Sequence, residues 1–192
     1  MAVDAATRRL QTPLTDDQVL DLRSGDAVLI DGIVYGARDA AHARLVESLA
    51  AGQPLPFDLA GAIIYYVGPA PARPGQSIGS AGPTTSSRMD RYAPALYAAG
   101  VRATIGKGYR TAPVRDAIVE HKALYLAAIG GSGALLSQRI VSAEIVAYAE
   151  LGPEAIYRLT VRDFPAIVVN DAHGADLYQD ARATWRVDTA SL

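Results

Sequence analysis

The chain has 192 residues, half of them apolar, with 18 Lys and Arg against 20 Asp and Glu and a formal net charge of −2. That length suits one domain, or two small ones, with a sizeable core, and the lack of a basic excess argues against a nucleic-acid partner. Cysteine is absent, which excludes a disulfide framework and any cysteine-ligated metal cluster on this chain.

Residues 1–16 read as a polar lead-in with no signal-peptide core, and no stretch reaches the ~18 apolar residues of a membrane span. A cytoplasmic location is expected. Thr15-Asp16-Asp17 caps a short helical turn before Val19 and Leu20. Ala27 to Ile30 reads as a buried strand that continues past Asp31-Gly32 into Ile33-Val34-Tyr35. Arg38 to Ala50 reads as a helix, with Ala41, Leu45, Leu49 and His42, Val46 at helical spacing. Ala62 to Val67 is a strand, and the three prolines between Pro69 and Gly75 make an irregular loop. Arg88 to Ala99 is predicted as one helix, with Gly100 after its end. A strand over Val101 to Ile105 follows, then a helix over Pro113 to Glu120 and a strand over Lys122 to Ile129. A short helix over Gly133 to Arg139 precedes strands over Val141 to Ala147, Ala155 to Val161 and Pro165 to Asn170. Asp171 to Gly174 is a turn, and the residues from Asp176 onward are mixed. The alternation favours an α/β layered domain without specifying strand direction.

Two segments carry chemistry. In Gly82-Pro83-Thr84-Thr85-Ser86-Ser87-Arg88-Met89-Asp90 a tight turn leads into four hydroxyl residues and an arginine. In Ile105-Gly106-Lys107-Gly108 a lysine lies between two glycines. The hydroxyls fit either a helix N-cap or an anion site at a helix N-terminus with Arg88 as a bidentate grip. Lys107 reads as a solvated surface lysine or as a point charge for a carboxylate. Arg38 and Asp39 open a helix straight after a strand, a corner where α/β proteins place ligand groups. His42 reads as a hydrogen-bonding residue of the core. His121 and His173 are isolated, so no metal-ligand spacing appears. Asn170-Asp171 reads as an Asx turn at a strand end, where a ligand contact is the less favoured alternative.

These segments, with Gly25 to Ile30, Arg38-Asp39-Ala40-Ala41-His42, Leu151 to Ala155 and Asp163 to Asp171 in the same order, resemble the β region of iron–sulfur class I fumarate hydratases and L(+)-tartrate dehydratases. The resemblance covers about residues 20–180. It implies a single compact α/β domain over 1–192, of the swivelling β/β/α type. It also implies a [4Fe-4S] cluster held by a separate, cysteine-bearing α subunit, an α₂β₂ heterotetramer (or a homodimer when isolated), and a small dicarboxylate substrate. By the same resemblance Thr84 is the base that removes a C–H proton. Arg38, Thr84, Thr85, Ser86, Ser87, Arg88 and Lys107 bind substrate. Ser87 stands where the family commonly has glycine, and Gly131-Ser132-Gly133 replaces a more alanine-rich stretch. Two other readings stay open. One is a non-catalytic carboxylate-binding or interaction module lacking an α partner. The other is a metal-independent enzyme using Thr84, Lys107 and His42.

Overall fold

The computed structural model describes residues 7–186; the ends of the domain expected over 1–192 lie outside them. Seven strands are present: β1 (Arg8–Gln11), β2 (Ala27–Gly36), β3 (Ile63–Tyr65), β4 (Ala103–Gly106), β5 (Leu124–Ala127), β6 (Ile140–Ala147) and β7 (Ile156–Asn170). Six α-helices accompany them: α1 (Asp16–Leu20), α2 (Asp39–Ala50), α3 (Ala93–Ala98), α4 (Ala112–Glu120), α5 (Gly133–Ser137) and α6 (Leu177–Trp185).

Strands β2, β3, β4 and β5 are parallel neighbours, linked through α2, α3 and α4, because a parallel pair needs a crossover rather than a hairpin. β7 runs antiparallel to both β5 and β2 and so closes the sheet on itself. Two long strands make closure possible by sharing their edges. β1 and β3 pair with successive halves of one edge of β2, and β6 and β5 with successive parts of one edge of β7.

Alternation along the strands feeds two cores. Ile63, Tyr65 and Val67 point into the closed sheet with Ile105, Leu126, Leu159 and Phe164. Ile64 and Tyr66 point outward, with Tyr125, under Leu45, Leu96 and Ile118 of the helices. Strands buried on both faces read as continuous apolar runs, which is why β3 was legible. Thr15 caps α1 as expected, and Gln18 completes a capping box: the Thr15 side chain accepts from the N–H of Gln18, and the Gln18 side chain accepts from the N–H of Thr15.

Four expectations are corrected. The helix over Arg88 to Ala99 is broken. A 3₁₀ turn covers Ser86–Met89, and α3 restarts at Ala93 with Pro94 in its first turn. A continuous helix would place Pro94 in its interior, where proline has no N–H and clashes with the carbonyl four residues back. The two last strands are one, β7. Pro165 lies in the gap between the end of β6 pairing at Val161 and the start of β5 pairing at Ile167, so its missing N–H leaves no bond unmade on that edge. The polar lead-in contains β1, held by ladder bonds to β2 with only Leu10 buried. The mixed tail contains α6, capped by Asp176 accepting from the N–H groups of Tyr178 and Gln179.

The interior is close-packed: Phe164 is 1% exposed and meets Tyr65 edge-on at 5.3 Å between ring centres. Phe164→Ala is expected to cost about 3–5 kcal/mol in urea denaturation; a loss below about 1 kcal/mol would mean the barrel interior repacks freely.

Candidate functional site

The carboxyl ends of the parallel strands bring the sequence's candidates together. Arg38 follows β2, Thr84 lies on the path out of β3, and Lys107 follows β4. The hydroxyl segment is sewn to the lysine by its backbone. The N–H of Thr84 donates to the Tyr66 carbonyl (2.7 Å), the N–H of Lys107 to the Thr84 carbonyl (3.2 Å), and the N–H of Ser86 to the Lys107 carbonyl (2.9 Å).

The glycines around Lys107 serve different ends. A Cβ on Gly106 would run into Ser86 Oγ and come within 2.9 Å of the Tyr66 ring. Gly108 instead adopts a φ of +84°, which a side chain would strain.

Arg38 and Arg88 meet on one carboxylate. Arg38 Nε lies 3.2 Å from Asp39 Oδ2, and Arg88 Nε lies 2.8 Å from Asp39 Oδ1. Glu154 adds a second acid: its Oε1 is 3.2 Å from Arg38 Nη2, and its Oε2 accepts from the N–H of Ala40. Burial opposes ionisation of Asp39, but the backbone N–H groups and both guanidiniums outweigh it and hold the carboxyl below its usual range.

The four hydroxyl residues separate. Thr84 is half-buried and Thr85 and Ser87 are exposed. Among the described residues these three hydroxyls have no hydrogen-bond partner, and none caps a helix. The N-cap reading therefore fails, because the chain makes a single 3₁₀ turn here. The helix N-terminal anion site fails with it. Ser86 faces inward, fully buried, and donates to the Tyr125 hydroxyl at 2.9 Å. Its side chain supports the segment from beneath. Ser87 has no positive φ, so its Cβ strains nothing. The Gly131-Ser132-Gly133 stretch also gains a reason: a Cβ on Gly133 would come within 2.6 Å of Ser80 Oγ and 2.9 Å of the Gly82 nitrogen.

Beneath the segment lies a polar node that sequence reasoning missed. Arg110, with its side chain wholly buried, pairs with Asp90 at 2.8 Å. It also donates to the Tyr66 hydroxyl and to Thr104 Oγ1 (3.1 and 3.2 Å) and lies against the Tyr66 and Tyr125 rings. Asp90 accepts in turn from the N–H of Thr111 (2.8 Å), and the Tyr125 hydroxyl reaches the Gly108 carbonyl (2.8 Å). Asp90 belongs to the quoted motif, but nothing in the local pattern marks an arginine twenty residues away as its partner.

His42 is fully buried, as expected of a core residue. Its Nδ1 lies 3.0 Å from the Arg38 carbonyl, and a carbonyl only accepts, so Nδ1 carries the proton. Burial, reinforced by the Arg110 charge, lowers its pKa to about 4, and the ring is neutral near pH 7. Inaccessible and neutral, it cannot exchange protons with a surface-bound ligand, which removes the reading that used it for catalysis. Asp171 makes the expected Asx turn, accepting from the N–H groups of His173 and Ala175, and also accepts from the N–H of Ser24.

The candidate face is partly exposed, with Thr85, Ser87, Arg88 and Lys107 at the surface and Arg38 and Thr84 half-buried. Hollows of about 930 and 450 Å³ are lined by other residues, on α6 and beside α5. No group of three His, Cys, Asp or Glu able to hold a metal occurs among the described residues, and no described helix is long and apolar enough to cross a membrane.

The family model named Fumarase C-terminus matches residues 2–181. The chain belongs to this family. It is 43% identical over 157 residues to the aerobic class I fumarate hydratase of Escherichia coli, covering 81% of this chain and 29% of that protein. Fumarate hydratase 2 of Leishmania major is 40% identical over 161 residues, covering 83% of this chain and 28% of that protein. A Methanocaldococcus jannaschii protein, provisionally named the beta subunit of L(+)-tartrate dehydratase, is 38% identical over 173 residues, covering 87% of this chain and 89% of that protein. The chain thus spans about a third of the fumarate hydratases and nearly all of the tartrate dehydratase β-type relative.

Two outcomes test this geometry. Asp90→Asn leaves Arg110 buried without its counter-charge and is expected to cost about 3–5 kcal/mol in denaturant unfolding; a change under 1 kcal/mol would show that water reaches the pair. For His42 the folded pKa lies below that of the unfolded chain, so its contribution is complete above about 6.5 and is lost as pH falls toward about 4. The loss amounts to about 3 kcal/mol. Relative to wild type, His42→Asn should show a flatter stability profile between those pH values. Parallel profiles would mean that the ring titrates normally.

Proposed function

We propose that this chain is the β-type half of a hydro-lyase acting on a C4 hydroxy-diacid such as malate or tartrate. The observation that carries the reading is the placing of Arg38, Thr84 and Lys107 on segments that leave neighbouring parallel strands, with Arg38 and Arg88 meeting on Asp39 and the Lys107 N–H donating to the Thr84 carbonyl. That arrangement suits a dianion with a C–H proton to be removed between its ends. Membership of the fumarase C-terminal family, with relatives named for fumarate and tartrate chemistry, supports the reaction class.

In this reading Arg38, Arg88 and Lys107 hold the substrate carboxylates, with the exposed Thr85 and Ser87 hydroxyls as further donors. Thr84 accepts the proton from the carbon next to the one losing hydroxide, and the C–H electron pair moves into the new double bond. Negative charge builds on the adjacent carboxylate, where the fixed cations stabilise it. A hydroxyl is a poor base until ionised, and nearby positive charge favours that ionised form.

The donor set of this chain does not fit an iron–sulfur cluster, since it has no cysteine. In this reading a [4Fe-4S] cluster would be held by a cysteine-bearing α partner, where it would supply a Lewis acid for the departing hydroxide. A separate partner agrees with the β-type relative of nearly equal length. An α₂β₂ assembly in the cytoplasm is the arrangement we infer, with one β-type domain per chain.

Anaerobic affinity purification from the native cells should recover a cysteine-rich second polypeptide with about four irons per pair. The assembly should dehydrate malate or tartrate. Thr84→Val should assemble with iron retained yet lose at least ~10²-fold in kcat. Full activity of that variant would remove Thr84 as the base. A chain recovered alone, without iron or turnover, would favour a carboxylate-binding module instead.

A further inference from the structure

Asp39 has a geometry that its place in the sequence does not announce. Its two carboxylate oxygens are divided between two arginines: Oδ2 accepts from Arg38 Nε (3.2 Å) and Oδ1 from Arg88 Nε (2.8 Å). The two arginines differ in what else restrains them. Arg38 is also held by Glu154, and its side chain lies flat on Gly68, where a Cβ would come within 2.8 Å of Nη1 and 3.0 Å of Cδ. It is 22% exposed. Arg88 stands on the isolated 3₁₀ turn with its side chain 48% exposed. Among the described residues Asp39 is the one acid it meets, and its two Nη groups donate to nothing.

Asp39 is itself well anchored. It is the first residue of α2, a twelve-residue helix whose start is fastened by the Arg38 carbonyl accepting from His42, and by Glu154 accepting from the N–H of Ala40. The carboxylate is therefore a fixed post, and it stays ionised because the backbone and both guanidiniums favour its charged form. A guanidinium bound through Nε is engaged side-on. In Arg88 its terminal edge, which can match a carboxylate with two parallel N–H groups, is left unengaged. Because both guanidiniums attach to the two oxygens of one carboxylate, they are neighbours, but Arg38 gives Nη2 to Glu154 whereas both Nη groups of Arg88 stay unengaged.

We propose that Asp39 is a positioning residue of the anion site. It aims Arg88 side-on so that the free terminal edge of Arg88, beside Arg38, receives one carboxylate of the ligand. The ligand's identity as a hydroxy-diacid rests on the function proposed above; the aiming of Arg88 does not. The proposal makes a prediction of sign. By simple charge balance, deleting an anion between two cations should tighten the binding of an anionic substrate. A positioning role requires the opposite, because a mobile Arg88 must be re-ordered each time the ligand binds.

Two measurements test it. In the isolated full-length chain, the arginine Nε–H signals are followed by ¹⁵N-edited NMR, with Arg38→Lys and Arg88→Lys spectra supplying the assignments. Asp39→Asn should leave the Arg38 signal ordered and collapse that of Arg88 to rapid averaging. An Arg88 signal that stays ordered in Asp39→Asn overturns the proposal. In the assembly of this chain with its partner, Asp39→Asn should raise KM for the diacid by ~10-fold or more with a smaller change in kcat. Asp39→Glu should recover part of the loss. The double variant Asp39→Asn/Arg88→Ala should be no worse than Arg88→Ala alone, since the two residues act as a unit. A lower KM for Asp39→Asn, or additive losses in the double variant, overturns positioning. Loss of kcat at unchanged KM does so too, pointing to proton transfer by Asp39. A wild-type assembly that turns over no diacid defeats the proposed function, and the NMR result then decides the role of Asp39 by itself.

Discussion

The buried ion pair between Asp90 and Arg110 is the contact on which the geometry of the candidate face depends. A guanidinium with a wholly buried side chain is tolerated only where a counter-charge and further acceptors replace its water. Here Asp90, the Tyr66 hydroxyl and Thr104 do so, with two aromatic rings lying against the charge. The pair joins the end of the hydroxyl-bearing turn to the loop that follows Lys107. Tyr125 adds a second tie between the same two segments, taking the Ser86 hydroxyl on one side and reaching the Gly108 carbonyl on the other. Thr84 to Arg88 and Lys107 are thereby set against each other from beneath, while the Thr84, Thr85 and Ser87 hydroxyls stay unengaged and Arg88 meets Asp39.

The closed sheet supplies the rigid frame for that arrangement. Its parallel strands end on one side, and the segments leaving β2, β3 and β4 carry the arginine, the hydroxyls and the lysine in turn. Ligand groups gather at the carboxyl ends of strands in α/β proteins for this reason: a packed core fixes the strand ends, and the loops beyond them are free to vary. Strands packed on both faces, as β3 and β4 are, leave their ends little freedom. Close approach supplies the remaining precision. Gly106 lets Ser86 sit directly over the strand, and Gly82 and Gly133 pack backbone to backbone at the entrance to the segment.

The face is well built yet partly exposed, and these properties belong together in our reading. In the function proposed above, the three cations, balanced in part by Asp39 and Glu154, would receive carboxylates at a partly exposed surface. Water competes for every such contact at an open surface, and electrostatic stabilisation grows only when water is excluded. A partner that covers the face would therefore strengthen each of these interactions as it adds its own groups. The relatives come in two forms, one about three times as long as this chain and one nearly equal to it, which suits a site shared between two polypeptide bodies.

Periodicity and punctuation made most of the fold legible in the sequence. Continuous apolar runs marked β2, β3 and β5, helical spacing marked α2, a proline in the first turn marked α4, and Thr15 as a cap marked α1. These signals are local, because each reports which faces of one element are buried or which N–H groups its own neighbours satisfy. The hydroxyl segment and Lys107 stood out as short polar motifs beside glycine, whereas the roles of Arg38, Thr84, Thr85, Ser87, Arg88 and Lys107 as site candidates came from the resemblance to a family. What the sequence alone could not decide were matters of long-range pairing. The polar β1 exists because β2 offers it an edge. The helix expected over Arg88 to Ala99 breaks at Pro94, and Ser86 turns inward because Tyr125, 39 residues away, offers a hydroxyl. The partnership of Arg110 with Asp90, and the sharing of Asp39 by Arg38 and Arg88, depend on which strand ends lie side by side. Only the closure of the sheet by β7 determines that, because ion pairs and hydrogen bonds act over a few ångströms in space and leave no period in the chain.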